Sequence, residues 1–201
     1  DRPKQKWRIL GAVVAIILLI FLFTRPGPDP AAGKTKITVM TTGGIIETNF
    51  YTELAESFNA QHPDLYLESV VTPVQGYEMK LMVLIGAKNA PDIFVCEPQR
   101  YLDFAQMGAL LDLSGYLAQD QDLVSFLSPV DLAAVTVDGR VYGIPHPFKP
   151  EVLAIFVDSP SPDLAWKTLL TMVQEIGENW PQELRQQPAL ENTGALPNAS
   201  P

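Results

Sequence analysis

The chain has 201 residues, 47% of them hydrophobic, and a formal net charge of −9; that is enough for one packed domain with appendages and too little for two full domains. Residues 1–36 hold seven of the 14 basic groups and two of the 23 acids, so 37–201 are strongly acidic, and a surface of that sign argues against nucleic acid as a partner. The single cysteine, Cys96, excludes an internal disulfide, and His62 and His146, the only histidines, are too few to build a zinc site around it. No metal, cofactor or catalytic residue is expected.

Residues 9–24 read ILGAVVAIILLIFLFT and carry no charge. At 1.5 Å per residue this run makes roughly 24 Å of helix, a little short of a bilayer core about 30 Å thick, and Trp7 can extend it into the headgroup layer. Lys4, Lys6 and Arg8 precede it and Pro26-Gly27-Pro28 ends it. The positive-inside rule then predicts a cytoplasmic basic tail over 1–8 and a single transmembrane helix over 9–25, with everything beyond exported to the periplasm or the cell exterior. A cleaved signal peptide is the competing reading. Against it, no small-x-small cleavage site and no lipobox cysteine follow the apolar run. Residues 26–36 are rich in Pro, Gly and Ala and read as a linker from the membrane.

Beyond the linker the pattern alternates. A β-rich run at 37–41 ends at Thr42-Gly43-Gly44, and Ile46, Phe50, Leu54 and Phe58 then recur at helical spacing. His62-Pro63-Asp64 breaks that helix and a strand follows at 65–71. Tyr77, Leu81, Leu84 and Ile85 mark a second helix, 92–96 (DIFVC) a strand buried on both faces, and 98–107 a third helix with Pro98 in its first turn. Asp138-Gly139 signals a hairpin between 134–138 and 141–144. A further strand at 151–157 and a helix at 164–176 complete the lobe. From Gly177 the residues are polar and proline-punctuated, and 177–201 read as a disordered or partner-bound tail. The order β-α-β-α-β-α predicts an α/β lobe, 37–176, with a mostly parallel sheet between helices.

Six segments in order resemble the extracellular solute-binding proteins of the family 1 type, the maltose-binding-protein-like receptors of ABC transporters. They are FNAQHPD at 58–64, GAKNAPDI at 86–93, GALLDL at 108–113, DGRVYGIP at 138–145, the strand 152–158 and PDLAWKTLL at 162–170. The resemblance implies a periplasmic-binding-protein-like lobe that meets its solute in a cleft between two lobes. Here the pattern ends just after the first helix beyond the inter-lobe crossing, which leads to the expectation of a single lobe with an uncovered face.

By family position the loop after the first strand (Thr41, Thr42, Gly43, Gly44) and the segment after the third (Glu97, Gln99, Arg100, Tyr101) face the cleft. Both lie at carboxyl ends of parallel strands, where open α/β sheets bind ligands, and the glycines precede a helix N-terminus where an anion could dock. Trp166 is either a stacking ring for a sugar or a packing residue. His146, between two prolines, has no Ser, Cys or carboxylate placed near it by any motif and reads as structural. The stretch 37–46 is also similar to the first strand and Thr-Gly-Gly-Thr-Ile turn of bacterial asparaginases, but Ile45 stands where their nucleophilic threonine would be.

The expected function is therefore non-enzymatic. The first reading is a membrane-anchored accessory or structural subunit of a larger membrane complex. The alternative is the substrate-binding component of an ABC importer, with the permease as partner and a sugar or other small solute as ligand.

Overall fold

The computed structural model describes residues 13–16, 29–120 and 129–185. The chain forms two compact units, Asp1–Gly33 and Lys34–Pro201. In the first, 13–16 are helical and Ala32 N–H donates to the Asp29 carbonyl in a turn at 2.9 Å. The expected transmembrane helix at 9–25 otherwise lies outside the described residues, as do 121–128 and 186–201. Among the described residues no helix is long and apolar enough to cross a membrane.

The second unit is an α/β lobe. Its strands are β1 (Thr35–Thr42), β2 (Leu65–Thr72), β3 (Ile93–Cys96), β4 (Thr136–Val137), β5 (Arg140–Val141), β6 (Gly143–Pro145) and β7 (Val152–Ile155). Its helices are α1 (Ile45–Gln61), α2 (Tyr77–Gly86), α3 (Pro98–Gln106), α4 (Ser114–Gln119), α5 (Pro129–Ala134) and α6 (Pro162–Asn179), followed by a 3₁₀ turn at Gln182–Leu184. Five strands form one sheet in the order β2-β1-β3-β7-β6, and β4 pairs with β5 apart from it.

The expectation of a mostly parallel sheet needs correction, because the sheet is mixed. β1 runs parallel to β2 and to β3, whereas β7 is antiparallel to both β3 and β6. The reason is connection length. Only 146–151 separate β6 from β7, and parallel neighbours need a crossover of roughly a dozen residues or more. A hydrogen bond from His146 N–H to the Glu151 carbonyl closes the link at 2.8 Å.

All four positions of β3 and all four of β7 are buried, as expected of strands covered on both faces. α1 packs on β2, and α3 and α6 pack against β7. Ile37, Ile93, Phe94, Leu153, Ile155 and Leu169 are almost wholly excluded from water. Each such side chain contributes about 1.5–3 kcal/mol relative to its exposed state. Gly143 is required in β6, since a Cβ there would meet Val152 Cγ1 at 2.5 Å and the Leu153 carbonyl oxygen at 2.9 Å.

Two polar latches fix the strands. Asn59 accepts from Leu67 N–H (2.7 Å) and donates to its carbonyl (3.1 Å), tying the end of α1 to β2. The buried Asp92 carboxylate accepts from Thr38 N–H and Oγ1 (both 2.8 Å) and from Ser159 Oγ (2.6 Å), which clamps β1 and the turn before α6 onto β3. Asp138 and Gly139 both have positive φ, 49° and 77°, as the turn between β4 and β5 requires of a two-residue hairpin.

α6 runs three residues past the predicted helix end, to Asn179, and Trp180 is 1% exposed. Its ring packs against Phe50 at 5.0 Å and His146 at 4.9 Å. Arg185 then donates from Nε to the Trp180 carbonyl at 3.0 Å and lies 4.8 Å over the Phe148 ring. The stretch from Gly177 to Arg185, placed by the sequence reading in a disordered or partner-bound tail, is therefore packed on the lobe.

Candidate functional site

A cleft of about 410 Å³ opens at the carboxyl ends of β1 and β3. Thr42 reaches it from β1, Tyr77 and Glu78 from the start of α2, and Glu97 and Arg100 from the turn into α3. Glu151 joins them because β7 runs antiparallel to β3, which brings its amino end beside the carboxyl end of β3.

Behind the Thr42 side of the cleft lies a buried polar cluster. Lys149, 5% exposed, sits 3.2 Å from Glu47 and donates to the Thr42 carbonyl at 3.3 Å. The Thr42 hydroxyl donates to Glu151 at 2.7 Å. Burial alone would raise the Glu47 carboxyl, but N–H groups of Gly44 and of Glu47 itself, together with Lys149, outweigh it and hold the group below the ordinary carboxylate value. For Glu151 burial wins: its carboxyl is raised, with Lys149 and Thr42 offsetting part of the effect and the Glu47 and Glu97 charges adding to it.

Of the residues selected from the sequence, Thr42, Glu97 and Arg100 line the cleft. Thr41 is buried next to it, its hydroxyl without a partner among the described residues. Gly43 N–H donates to the Thr72 carbonyl at 3.2 Å. Gly44 N–H donates at 2.8 Å to the side chain of Glu47, so the helix N-terminus expected to receive an external anion already holds the protein's own carboxylate. A Cβ on Gly43 would come within 2.4 Å of the Glu47 side chain, so glycine is what admits that carboxylate.

Gln99 is exposed outside the cleft. Tyr101 is fully buried rather than cleft-facing: its hydroxyl donates to the Val135 carbonyl and accepts from Tyr142 N–H at 3.0 Å. Trp166 packs within the core against Tyr116, ring centroids 5.4 Å apart, and does not line the cleft. The cleft residues that sequence reasoning missed include Tyr77, Glu78 and Glu151. A motif search has no handle on them, because 151 meets 42 only through the antiparallel return of β7.

Neither Cys96 nor His146 is activated. The Cys96 thiol is directed at the Val152 carbonyl at 3.7 Å, and burial pushes its pKa up, which keeps it protonated. His146 is 2% exposed, accepts from Phe148 N–H through Nδ1 at 3.1 Å, and is held neutral by burial and by Lys149, its pKa lowered to about 3. Among the described residues no group of three or more His, Cys, Asp or Glu could hold a metal ion.

No family model matches the chain. Over 146 residues it is 29% identical to a lipoprotein encoded in the oleD 5′ region of Streptomyces antibioticus, a match over 72% of this chain and 32% of that protein. In fold it is similar to an ABC substrate-binding protein of Listeria monocytogenes solved with cycloalternan, with a TM-score of 0.50 and 28% identity over 56% of this chain and 29% of that one. It is similar too to the GacH receptor of Streptomyces glaucescens, solved unliganded and with acarbose, with a TM-score of 0.50 and 29% identity over the same shares of the two chains. The chain thus spans about a third of the length of these relatives. Its lobe resembles a lobe of the extracellular solute-binding proteins of ABC transporters, as the sequence segments implied.

Proposed function

We propose that the lobe recognises a small solute at the cleft between the β1–α1 turn, α2 and α3, as the ligand-binding component of an ABC importer, without catalysing a reaction. The observation that supports this best is the position of the cleft. It lies at strand ends in a lobe similar to receptors solved with cycloalternan and acarbose. A single-pass anchor over 9–25 would hold the lobe on the outer side of the cell membrane, near the permease.

Thermal melts of the full chain across a panel of neutral and charged oligosaccharides test this reading. A true solute should raise Tm saturably, with about 2.7 kcal/mol of added stability at a hundred times its Kd. A flat response across the panel refutes it.

A second reading, an accessory subunit of a membrane complex, is favoured by one feature. Met82 on α2 and Met107 after α3 are exposed and line a shallow groove of about 340 Å³, and Met79 and Val83 on α2 are exposed as well. Such a patch suits a protein partner. The same melts separate the two, since a subunit responds to no solute.

A further inference from the structure

The polar groups of the cleft are acceptors far more than donors. Three carboxylates line it, from Glu78, Glu97 and Glu151. Its donors are committed inward: the Thr42 hydroxyl to Glu151 at 2.7 Å, the Tyr77 hydroxyl to the Val95 carbonyl at 2.7 Å, the Cys96 thiol toward the Val152 carbonyl at 3.7 Å. Arg100 is the one cation among the lining residues, and its Nε and Nη1 are held by Glu78 at 3.2 Å and Asp103 at 3.1 Å. Lys149, behind the wall, faces Glu47. The Glu97 carboxylate has neither a hydrogen bond nor a cationic partner among the described residues, and Glu97 and Glu151 both line the cleft, where the Glu97 charge adds to the raising of the Glu151 carboxyl.

A neutral polyol entering this cleft would have to strip water from two carboxylates without replacing their charge, and that is costly. An ammonium or guanidinium group replaces the lost water with charge-assisted hydrogen bonds. The rings of Tyr77 and Phe104 also line the cleft, and aromatic faces attract organic cations. The carboxylates are not gathered as a metal site, since no cluster among the described residues could hold an ion. The cleft volume suits a small molecule.

Building on the solute-binding reading above, we infer that the cleft selects an organic cation, a small solute whose amine nitrogen sits between Glu97 and Glu151, over a neutral polyol.

The test is isothermal titration calorimetry on the full chain in mild detergent at pH 6.5. Spermidine and the glucosamine trimer serve as amine probes; the N-acetylated trimer and maltotriose serve as neutral ones. The amine probes are expected to bind at least tenfold more tightly than the neutral ones and to weaken as NaCl rises from 50 to 300 mM. Glu97→Gln should weaken the amine probes at least fivefold and so shrink their advantage over the neutral ones. Glu97 is exposed at the N-cap of α3, so this variant keeps the fold, which circular dichroism verifies. A neutral probe that matches its amine counterpart, or a Glu97→Gln variant with undiminished amine binding, overturns the charge selection and leaves the solute-binding reading standing. Failure of every probe overturns both.

Discussion

His146 is enclosed beside an ammonium group and cannot accept a proton without disrupting its surroundings. Its pKa of about 3 in the fold lies below the ordinary 6.5, so the unfolded chain binds the proton first as the medium is acidified. Above 6.5 the residue contributes nothing to pH dependence; from 6.5 down toward 3 it destabilises the fold by at most about 1.4 kcal/mol per pH unit. Glu47, held below its ordinary value, acts in the same direction: its contribution is present above 4.5 and is lost as pH falls through its folded value. Glu151 runs the other way, its contribution present below 4.5 and lost as pH rises through the raised folded value. Urea denaturation at a series of pH values should therefore show stability declining from pH 6.5 to 5. His146→Asn retains an acceptor for Phe148 N–H and should flatten that decline. An unchanged slope in the variant would place the acid sensitivity elsewhere.

At the scale of elements, α6 shows where sequence patterning stops being informative. The apolar positions of α6 announce it, and β1, α1, β2, α2, β3 and α3 are equally plain, because each presents a buried face with a regular period. Trp180 is a lone ring among polar residues, so no period reveals it, yet it closes one end of the core against Phe50, Tyr51 and His146. Trp180→Ala should cost about 3–5 kcal/mol, as for other buried aromatics, seen as a lower urea midpoint. If the segment were a loose tail the midpoint would not move. The short helices α4 and α5 were missed because six residues hold under two turns and show no periodicity. The sense of β7 was also missed, because a buried strand reads alike in both directions; the shortness of the 146–151 link was the available clue.

For the whole molecule, the acidic surplus beyond residue 36 sets the behaviour in solution. Exposed ion pairs such as Lys36–Glu68 and Lys88–Asp158 are worth little individually, whereas 21 of the 23 acids fall in this region with only half of the bases. Mutual repulsion among them favours expansion and is screened by salt. Raising NaCl from 10 to 150 mM should stabilise the lobe by about 1 kcal/mol, or about 2–4 °C in Tm, measurable by scanning fluorimetry. A falling Tm would mean that ion pairs outweigh net charge.

The cleft was half legible at this scale. Family position, supported by strand-end logic, pointed to Thr42, Glu97 and Arg100, while Glu78 and Glu151 come from segments that only the folded topology brings together.

The Glu47–Lys149 pair has a consequence for how this sequence can drift. Removing either partner strands an opposite charge in the core, whereas an apolar replacement of both can be nearly neutral. Gly43 is bound into the same constraint through its contact with the Glu47 side chain. Positions 43, 47 and 149 therefore form one heritable unit: a lineage that loses the bridge must cross a poorly folded intermediate or change several codons together, and related lobes should keep all three residues or none.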